Sequence, residues 1–470
     1  MNKIFKNFLY ILSGSIIEKI LSFVFLMVVA RYYGEEVFGS YNFAKSIVSY
    51  FIMISTMGIQ SYAVLLISKE PQNSHKIYRE IVSVELVLSA ISSILLIIFT
   101  IFFPINRIMI LLVGTTIVIQ SLNTDWFFRA KQELSYVSYS TIMSSILQCV
   151  LIFGLINSNN RNVYFLPIVV SVSYLIPYSY LIIISKNKFK LNLFFVKGDV
   201  LYYIRNGIPF FFSGVFAAIN GNIDIIILGF MKTNKEVGLY SAAYGIINTL
   251  VLFVSIIFAP IYPSLVEAIS QNRLEKVDKL ISTVSKVLLI FIVPITIGGI
   301  AVSNNLISLV FGKNYEGVTQ TFCILLLFTF VLYFREIYGY ILSTSGNQKT
   351  YMYIVCLSSI VNISFNFLLI PKIGINGAAL ATLLSEVINL ILMGILAHKK
   401  VVFHIDNLPF FKVFLSSLIM GSVTYYFNTM NINVLITILI GIIIYILLII
   451  LFKVVTKEEF SNLVHFNKVN

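Results

Sequence analysis

Residues 434–451 read VLITILIGIIIYILLIIL, from Val434 to Leu451, with no charge anywhere in the run. At 1.5 Å of rise per residue, a helix of this length nearly crosses the ~30 Å hydrocarbon core of a bilayer. In lipid every backbone N–H and C=O must be satisfied within the segment, so a spanning run is a helix or a strand of a closed barrel. Barrel strands need only ~9–11 residues and alternate in polarity. This run is longer and continuously apolar, so it is a membrane helix. Working back toward the N-terminus, the same reading applies thirteen more times. The apolar segments are 8–30, 40–64, 80–103, 107–128, 135–157, 163–185, 203–230, 237–263, 281–302, 317–342, 350–370, 374–396, 408–427 and 432–455. The expected fold is an all-α integral membrane protein with fourteen transmembrane helices.

Composition agrees. The chain of 470 residues is 58% hydrophobic and 11% charged, with mean hydropathy +0.93. A soluble domain carries about 25% charged residues, so this chain has too little polar surface to cover a globule in water. The net charge of +13 would suggest nucleic acid in a soluble protein. Here the basic residues sit between apolar segments, where they set orientation, and no nucleic-acid partner is expected. With the N-terminus inside, Lys and Arg favour the inner connections by about three to one, which places both termini in the cytoplasm. The connections are short, the longest near 186–202 and 264–280, and no soluble domain is inserted. Lys3, Lys6 and an apolar start resemble a signal peptide. Glu18 and Lys19 interrupt that run, which continues to Ala30 without a small-residue cleavage site, so it reads as a retained first span.

Cys149, Cys323 and Cys356 lie in apolar stretches without disulfide or metal spacing, and read as small buried hydrophobes. His75, His398, His404 and His465 fall in polar connections. No cofactor or metal is expected, apart from a coupling H⁺ or Na⁺.

Two echoes mark an internal repeat. Glu36-Val37-Phe38-Gly39-Ser40-Tyr41 follows span one, and Glu236-Val237-Gly238-Leu239-Tyr240 follows span seven. Tyr139-Ser140-Thr141-Ile142-Met143-Ser144-Ser145-Ile146 in span five resembles Tyr353-Ile354-Val355-Cys356-Leu357-Ser358-Ser359-Ile360 in span eleven. Both offsets equal six spans. Six is even, so the halves share one orientation and form a parallel pseudo-repeat about an axis along the membrane normal. The expected organisation is an N-lobe over 1–195, a C-lobe over 196–400, and two further helices with a cytoplasmic tail over 401–470.

Ionisable residues at membrane depth are costly and face a cavity or a partner. The candidates are Glu18, Lys19, Lys45, Glu85, Asp125, Asp224, Arg335, Glu336 and Glu386. Ser15, Lys19 and Ser22 share one helical stripe, and Glu18 lies about 100° away from it. Two readings stand side by side: a cavity whose cations meet an anionic substrate and whose carboxylates bind a coupling ion, or interhelical salt bridges that lock the bundle. Lys45, Glu85, Arg335 and Asp125 lie nearer span ends and have the option of snorkelling. In span seven, Pro209, Gly214 and Gly221 accompany Asn220, Asn222 and Asp224. They suggest either a broken helix lining a cavity or close packing through small residues. Pro260, Pro263, Pro294, Gly298 and Gly299 in spans eight and nine read as flex points. Trp126 at a span end reads, on physics alone, as an interfacial anchor.

The segment Asp125-Trp126-Phe127-Phe128-Arg129-Ala130-Lys131-Gln132-Glu133 resembles the Asp/Thr-Trp-Phe signature of polysaccharide transporters, with Ala130 where that signature has Gly. These are the O-antigen and capsule repeat-unit flippases of the multidrug/oligosaccharidyl-lipid/polysaccharide exporter superfamily. The first external loop from Ala30 to Tyr41, the stretches Asp224 to Leu228 and Val237 to Ala243, and the turn from Ile370 to Thr382 also resemble that superfamily. The resemblance implies a MATE-like fold and a monomer in the bacterial cytoplasmic membrane. It implies an undecaprenyl-pyrophosphate-linked oligosaccharide as substrate, moved from inner to outer leaflet by alternating access and driven by an ion gradient. Membrane lipids surround such a protein, and a polysaccharide polymerase and a chain-length regulator are its expected partners. On this reading Lys19, Lys45 and Arg335 meet the pyrophosphate or acidic sugars, because cations suit phosphate. Glu18, Asp224, Glu336 and Glu386 are the ion-coupling candidates, and Asp125, Trp126 and Arg129 mark the signature.

Rival functions have their own sequence requirements. A cation-coupled drug exporter of the same superfamily predicts twelve spans. A lipid II flippase calls for more cavity arginines than Arg335 alone. A membrane polymerase, ligase or glycosyltransferase needs a large external loop with acid/base residues, whereas these connections are short and carry mainly Glu35, Glu36, Glu236 and Glu316. A non-transporting scaffold has no use for buried charges in several spans.

Overall fold

The computed structural model describes residues 3–157, 162–191, 199–258, 261–401, 408–430 and 432–454. Arg161, Lys197, Lys457, Lys468, His404 and His465, which entered the charge and histidine readings, lie outside these residues. The described residues are helical with short connections, and there is no strand among them. They form twelve continuous stretches long and apolar enough to cross a membrane. Two of these, Tyr10–Lys69 of 60 residues and Gln348–Lys400 of 53, far exceed one ~20-residue crossing. Each carries non-helical backbone where the sequence places an external turn: Gly34 (φ 80°, ψ 174°) in the first, Ile373 and Gly374 in the second. The described residues therefore make between twelve and fourteen crossings.

The helices pack into two units. The first comprises residues 1–245 with 366–375. It contains α1 (Lys3–Thr56), α2 (Ile59–Lys69), α3 (Ser74–Phe102), α4 (Arg107–Gln120), α5 (Asp125–Ala130), α6 (Leu134–Asn157), α7 (Phe165–Phe189), α8 (Val200–Met231) and the first half of α9 (Asn234–Phe258). Of the two readings for span seven, the broken helix is absent: α8 is helical through Pro209, Gly214 and Gly221, since proline removes one ladder bond and leaves its neighbours intact. The chain breaks instead between α1 and α2, where Met57 and Gly58 both take positive φ (44° and 70°). A Cβ on Gly58 would lie 2.5 Å from the Gly207 oxygen and 2.6 Å from the Phe211 nitrogen. Glycine at the break thus lets α2 rest directly on the α8 backbone.

A second backbone-to-backbone crossing joins α1 to α9. A Cβ on Gly39 would sit 2.6 Å from the Gly238 nitrogen and 2.8 Å from the Asn234 carbonyl carbon. One on Gly238 would sit 2.8 Å from the Glu35 carbonyl carbon and 3.1 Å from the Gly39 nitrogen. Nearby, the Asn106 and Asn234 amides exchange hydrogen bonds of 2.7 and 3.0 Å, and Lys235 pairs with Glu35 at 3.4 Å.

The second unit comprises residues 246–365 with 376–470. Besides the second half of α9, it contains α10 (Tyr262–Ser270), α11 (Leu274–Ala301), α12 (Ser303–Phe311), α13 (Thr319–Thr344), most of α14 (Gln348–Lys400), α15 (Leu408–Thr429) and α16 (Val434–Leu451). In α16 the three residues that are not aliphatic, Thr437, Gly441 and Tyr445, are four apart and face inward. The Tyr445 hydroxyl donates to the Ile290 carbonyl at 2.8 Å. Leu435, Leu439, Ile443, Leu447 and Ile450 are exposed and form the surface that lipid would cover. The last two helices are therefore keyed to α11 by their few polar side chains: the Asn428 amide likewise reaches the Ala301 carbonyl at 3.2 Å.

Candidate functional site

The charged residues expected from the sequence fall into separate clusters. On α1, Lys45 has Lys19 and Glu18 within electrostatic range. The non-helical backbone at Gly34 lies between these positions. Glu18 and Lys19 are half-buried and Lys45 keeps exposed surface. Two cations against one carboxylate leave this stretch of α1 positive.

Asp224 on α8 is 5% exposed. Its Oδ2 accepts from the Tyr240 hydroxyl at 2.8 Å, and its Oδ1 accepts from the Asn366 amide at 2.6 Å. Tyr240 stacks on Tyr244, with ring centroids 5.8 Å apart. Three segments distant in sequence thus converge on one buried carboxylate, and both of these donors are neutral. Asn366 was not singled out from the sequence. Its signal was available in Asn362 and Asn366, two amides one helical turn apart within a predominantly apolar span.

In the second unit Arg335 of α13 binds two carboxylates. Its Nε donates to Glu386 Oε1 at 2.6 Å and an Nη donates to Glu336 Oε1 at 2.8 Å. Asn389 donates to the second oxygen of Glu386 at 3.3 Å. Arg335 is 9% exposed and Glu386 7%. The structure therefore brings one expected substrate cation together with two expected coupling carboxylates. The ion pair ties α13 to α14, and two carboxylates on one guanidinium leave a surplus acid. Snorkelling, an option raised for Arg335 and Glu85, does not occur: both side chains are buried, and Arg335 is held by its two carboxylates.

The signature segment is the six-residue helix α5. Arg129 clamps Asp125 through Nε and Nη2 at 3.0 Å. Trp126 is 2% exposed, with its ring 5.8 Å from that of Tyr78 and 6.2 Å from that of Phe127. The interfacial-anchor reading of Trp126 is thus corrected: an anchor would show its ring to the membrane surface, and this ring is inside. It packs in a buried cluster with Ile59, Tyr78, Ile81, Phe127, Phe128 and Tyr178. Lys131 extends the knot, donating to the Ser74 hydroxyl at 2.9 Å. Among the described residues no three His, Cys, Asp or Glu side chains are grouped to hold a metal ion.

Comparison with known proteins follows these features. The family "Polysaccharide biosynthesis protein" matches residues 4–269, which is more than half of the chain. The probable low-salt glycan biosynthesis flippase Agl15 of Haloferax volcanii is 26% identical over 210 residues, 44% of each chain, so the match spans less than half of that relative. The capsular polysaccharide biosynthesis protein CapF of Staphylococcus aureus is 24% identical over 400 residues, covering 82% of this chain and 97% of that one. A structure of the lipid II flippase MurJ in an inward closed conformation superposes with a TM-score of 0.75 at 21% identity, over 95% of this chain and 99% of the other, which shows a shared fold. By its family match, this multi-pass helical membrane protein belongs to the polysaccharide biosynthesis protein family.

Proposed function

We propose that this chain is a flippase that carries a lipid-linked oligosaccharide, joined to its lipid through a pyrophosphate, from the inner to the outer leaflet of the cytoplasmic membrane. The observation that carries this reading is the stretch of α1 where Lys45 lies within electrostatic range of both Lys19 and Glu18. An uncompensated ammonium inside a bilayer is costly unless it serves a pathway, and a pyrophosphate is the anion that such a pair would accept. Family membership and the naming of its relatives as flippases support the substrate class. Transport proceeds by alternating access. Asp224, held by the Tyr240 hydroxyl and the Asn366 amide, is the site for a coupling H⁺ or Na⁺, and the Arg335 triad carries the second titratable pair. The polymerase and chain-length regulator of the same surface polymer are the partners, and both termini face the cytoplasm.

The test is a deletion strain complemented with wild type, Lys19→Ala or Lys45→Ala, with surface polymer and lipid-linked repeat units measured together. Complete repeat units should accumulate on the inner leaflet without the protein, and both variants should fail at normal protein level. Intact polymer in the deletion strain, with raised drug sensitivity, would overturn the reading in favour of drug export.

A further inference from the structure

Glu85 belongs to none of the clusters above. It lies within α3, fully buried, and its carboxyl is poorly served. Oε2 receives the Gln60 amide at 3.4 Å, at the long limit for a hydrogen bond. Oε1 has no hydrogen-bond partner among the described residues. Among the described residues no cation acts on it. From α2 comes Gln60, and from α5 comes Asp125, the one charge in electrostatic reach. Asp125 is itself an acid, already clamped by Arg129. Helix α1 runs alongside, held by a 2.6 Å bond from the Ser92 hydroxyl to the Phe51 carbonyl, and the groups that act on the carboxyl come from α2 and α5. An ionised carboxylate here would be desolvated, unpaired and next to another acid, a combination that one long amide bond does not offset.

We infer that Glu85 is a proton-binding site, and that the break between α1 and α2 reads its occupancy through Gln60. The proton forms an O–H bond on the unpartnered oxygen, so the site carries no charge in this conformation. Gln60 stands two residues past Gly58 and is the contact between the carboxyl and the break. When the proton leaves to water, the new carboxylate must find solvent or a donor. The element that carries Gln60 is α2, whose register is set by the positive φ of Met57 and Gly58 and by its contact with α8. Proton binding stands on this geometry alone, and only its use in transport rests on the flippase reading.

The experiment uses the whole protein in lipid nanodiscs, without cargo. Infrared difference spectra in H₂O and D₂O should show a protonated carboxyl that is lost in Glu85→Gln. In the same samples, hydrogen exchange over residues 57–62 should accelerate about tenfold at high pH relative to Glu85→Gln, after correction for intrinsic rates. Should Glu85→Gln fail to fold, Gln60→Ala is the second variant: it should keep the band but shift it, because the carboxyl loses its described bond. Absence of the band in the wild type overturns the proposal, as does a band unchanged in Glu85→Gln or unshifted in Gln60→Ala. If instead the band behaves as expected and no cargo is ever moved, the flippase reading fails while the proton site stands.

Discussion

Replacing Gly39 with alanine puts a methyl group where two backbones already touch. The added Cβ would lie 2.6 Å from the Gly238 nitrogen and 2.8 Å from the Asn234 carbonyl carbon. Ordinary contact for such atoms is nearer 3.4–4.0 Å, so α1 and α9 must part by about 0.8 Å or more. Overpacking of this kind costs about 1–3 kcal/mol where side chains can yield. Here the obstacles are backbone atoms that have no rotamer to change, so the cost belongs at about 3 kcal/mol. Separation would also stretch the paired amides of Asn106 and Asn234. The exposed Lys235–Glu35 pair adds little, because such pairs are worth about 0–1 kcal/mol. Gly238→Ala meets the same crossing from the other side and should cost a similar amount. The double variant should cost much less than the two together, because one separation accommodates both methyl groups. The assay is equilibrium unfolding in a fixed detergent, with polymer export as the second readout. Wild-type stability of Gly39→Ala, or full additivity of the pair, would refute the close crossing.

Arg335→Ala strands the buried Glu386 and the half-buried Glu336 and should cost about 3–5 kcal/mol in the same unfolding assay, whereas Arg335→Ala with Glu386→Gln should recover most of it. Arg335→Lys should restore less than half, since an ammonium cannot serve both acids through a planar fork. Trp126→Ala should destabilise by about 3–5 kcal/mol as a core truncation, and a loss under 1 kcal/mol would return Trp126 to the role of surface anchor. Asp224→Asn should fold but leave export insensitive to the imposed ion gradient, measured as cargo movement into vesicles with and without that gradient.

The spans were legible because lipid imposes one rule on every stretch that crosses it. The inward set of α16 was legible too, since its three residues that are not aliphatic fall four apart. Breaks were less so. Pro209 looked like the breaker, yet the chain turns at Met57 and Gly58, where a glycine against the Gly207 backbone matters more than a missing N–H. Partners were hardest. That a buried Arg335 needs an acid follows from its burial cost, but that Glu386 joins its neighbour Glu336 in supplying it follows only from the packing of α13 on α14. The same holds for Asp224, whose amide donor lies far along the chain. Trp126 was misplaced because residue type and span position are shared by an interface anchor and an aromatic core, and only packing separates them.

The crossing of Gly39 and Gly238 also bears on the repeat. The sequence echo pairs Glu36-Val37-Phe38-Gly39 with Glu236-Val237-Gly238, a match that short motifs produce by chance. The geometry is reciprocal: Gly39 abuts the carbonyl of Asn234, four residues before Gly238, and Gly238 abuts the carbonyl of Glu35, four residues before Gly39. Asn234 therefore follows Glu35 by the same interval at which Gly238 follows Gly39. A contact in which each partner uses the same atom at the same register is what a local two-fold axis produces. Each glycine is then required by its counterpart, which explains why both copies of the echo keep one. The contact ties the start of α9 to α1, and this is why residues up to Gly245 pack with the first unit although the repeat places them in the second half of the chain.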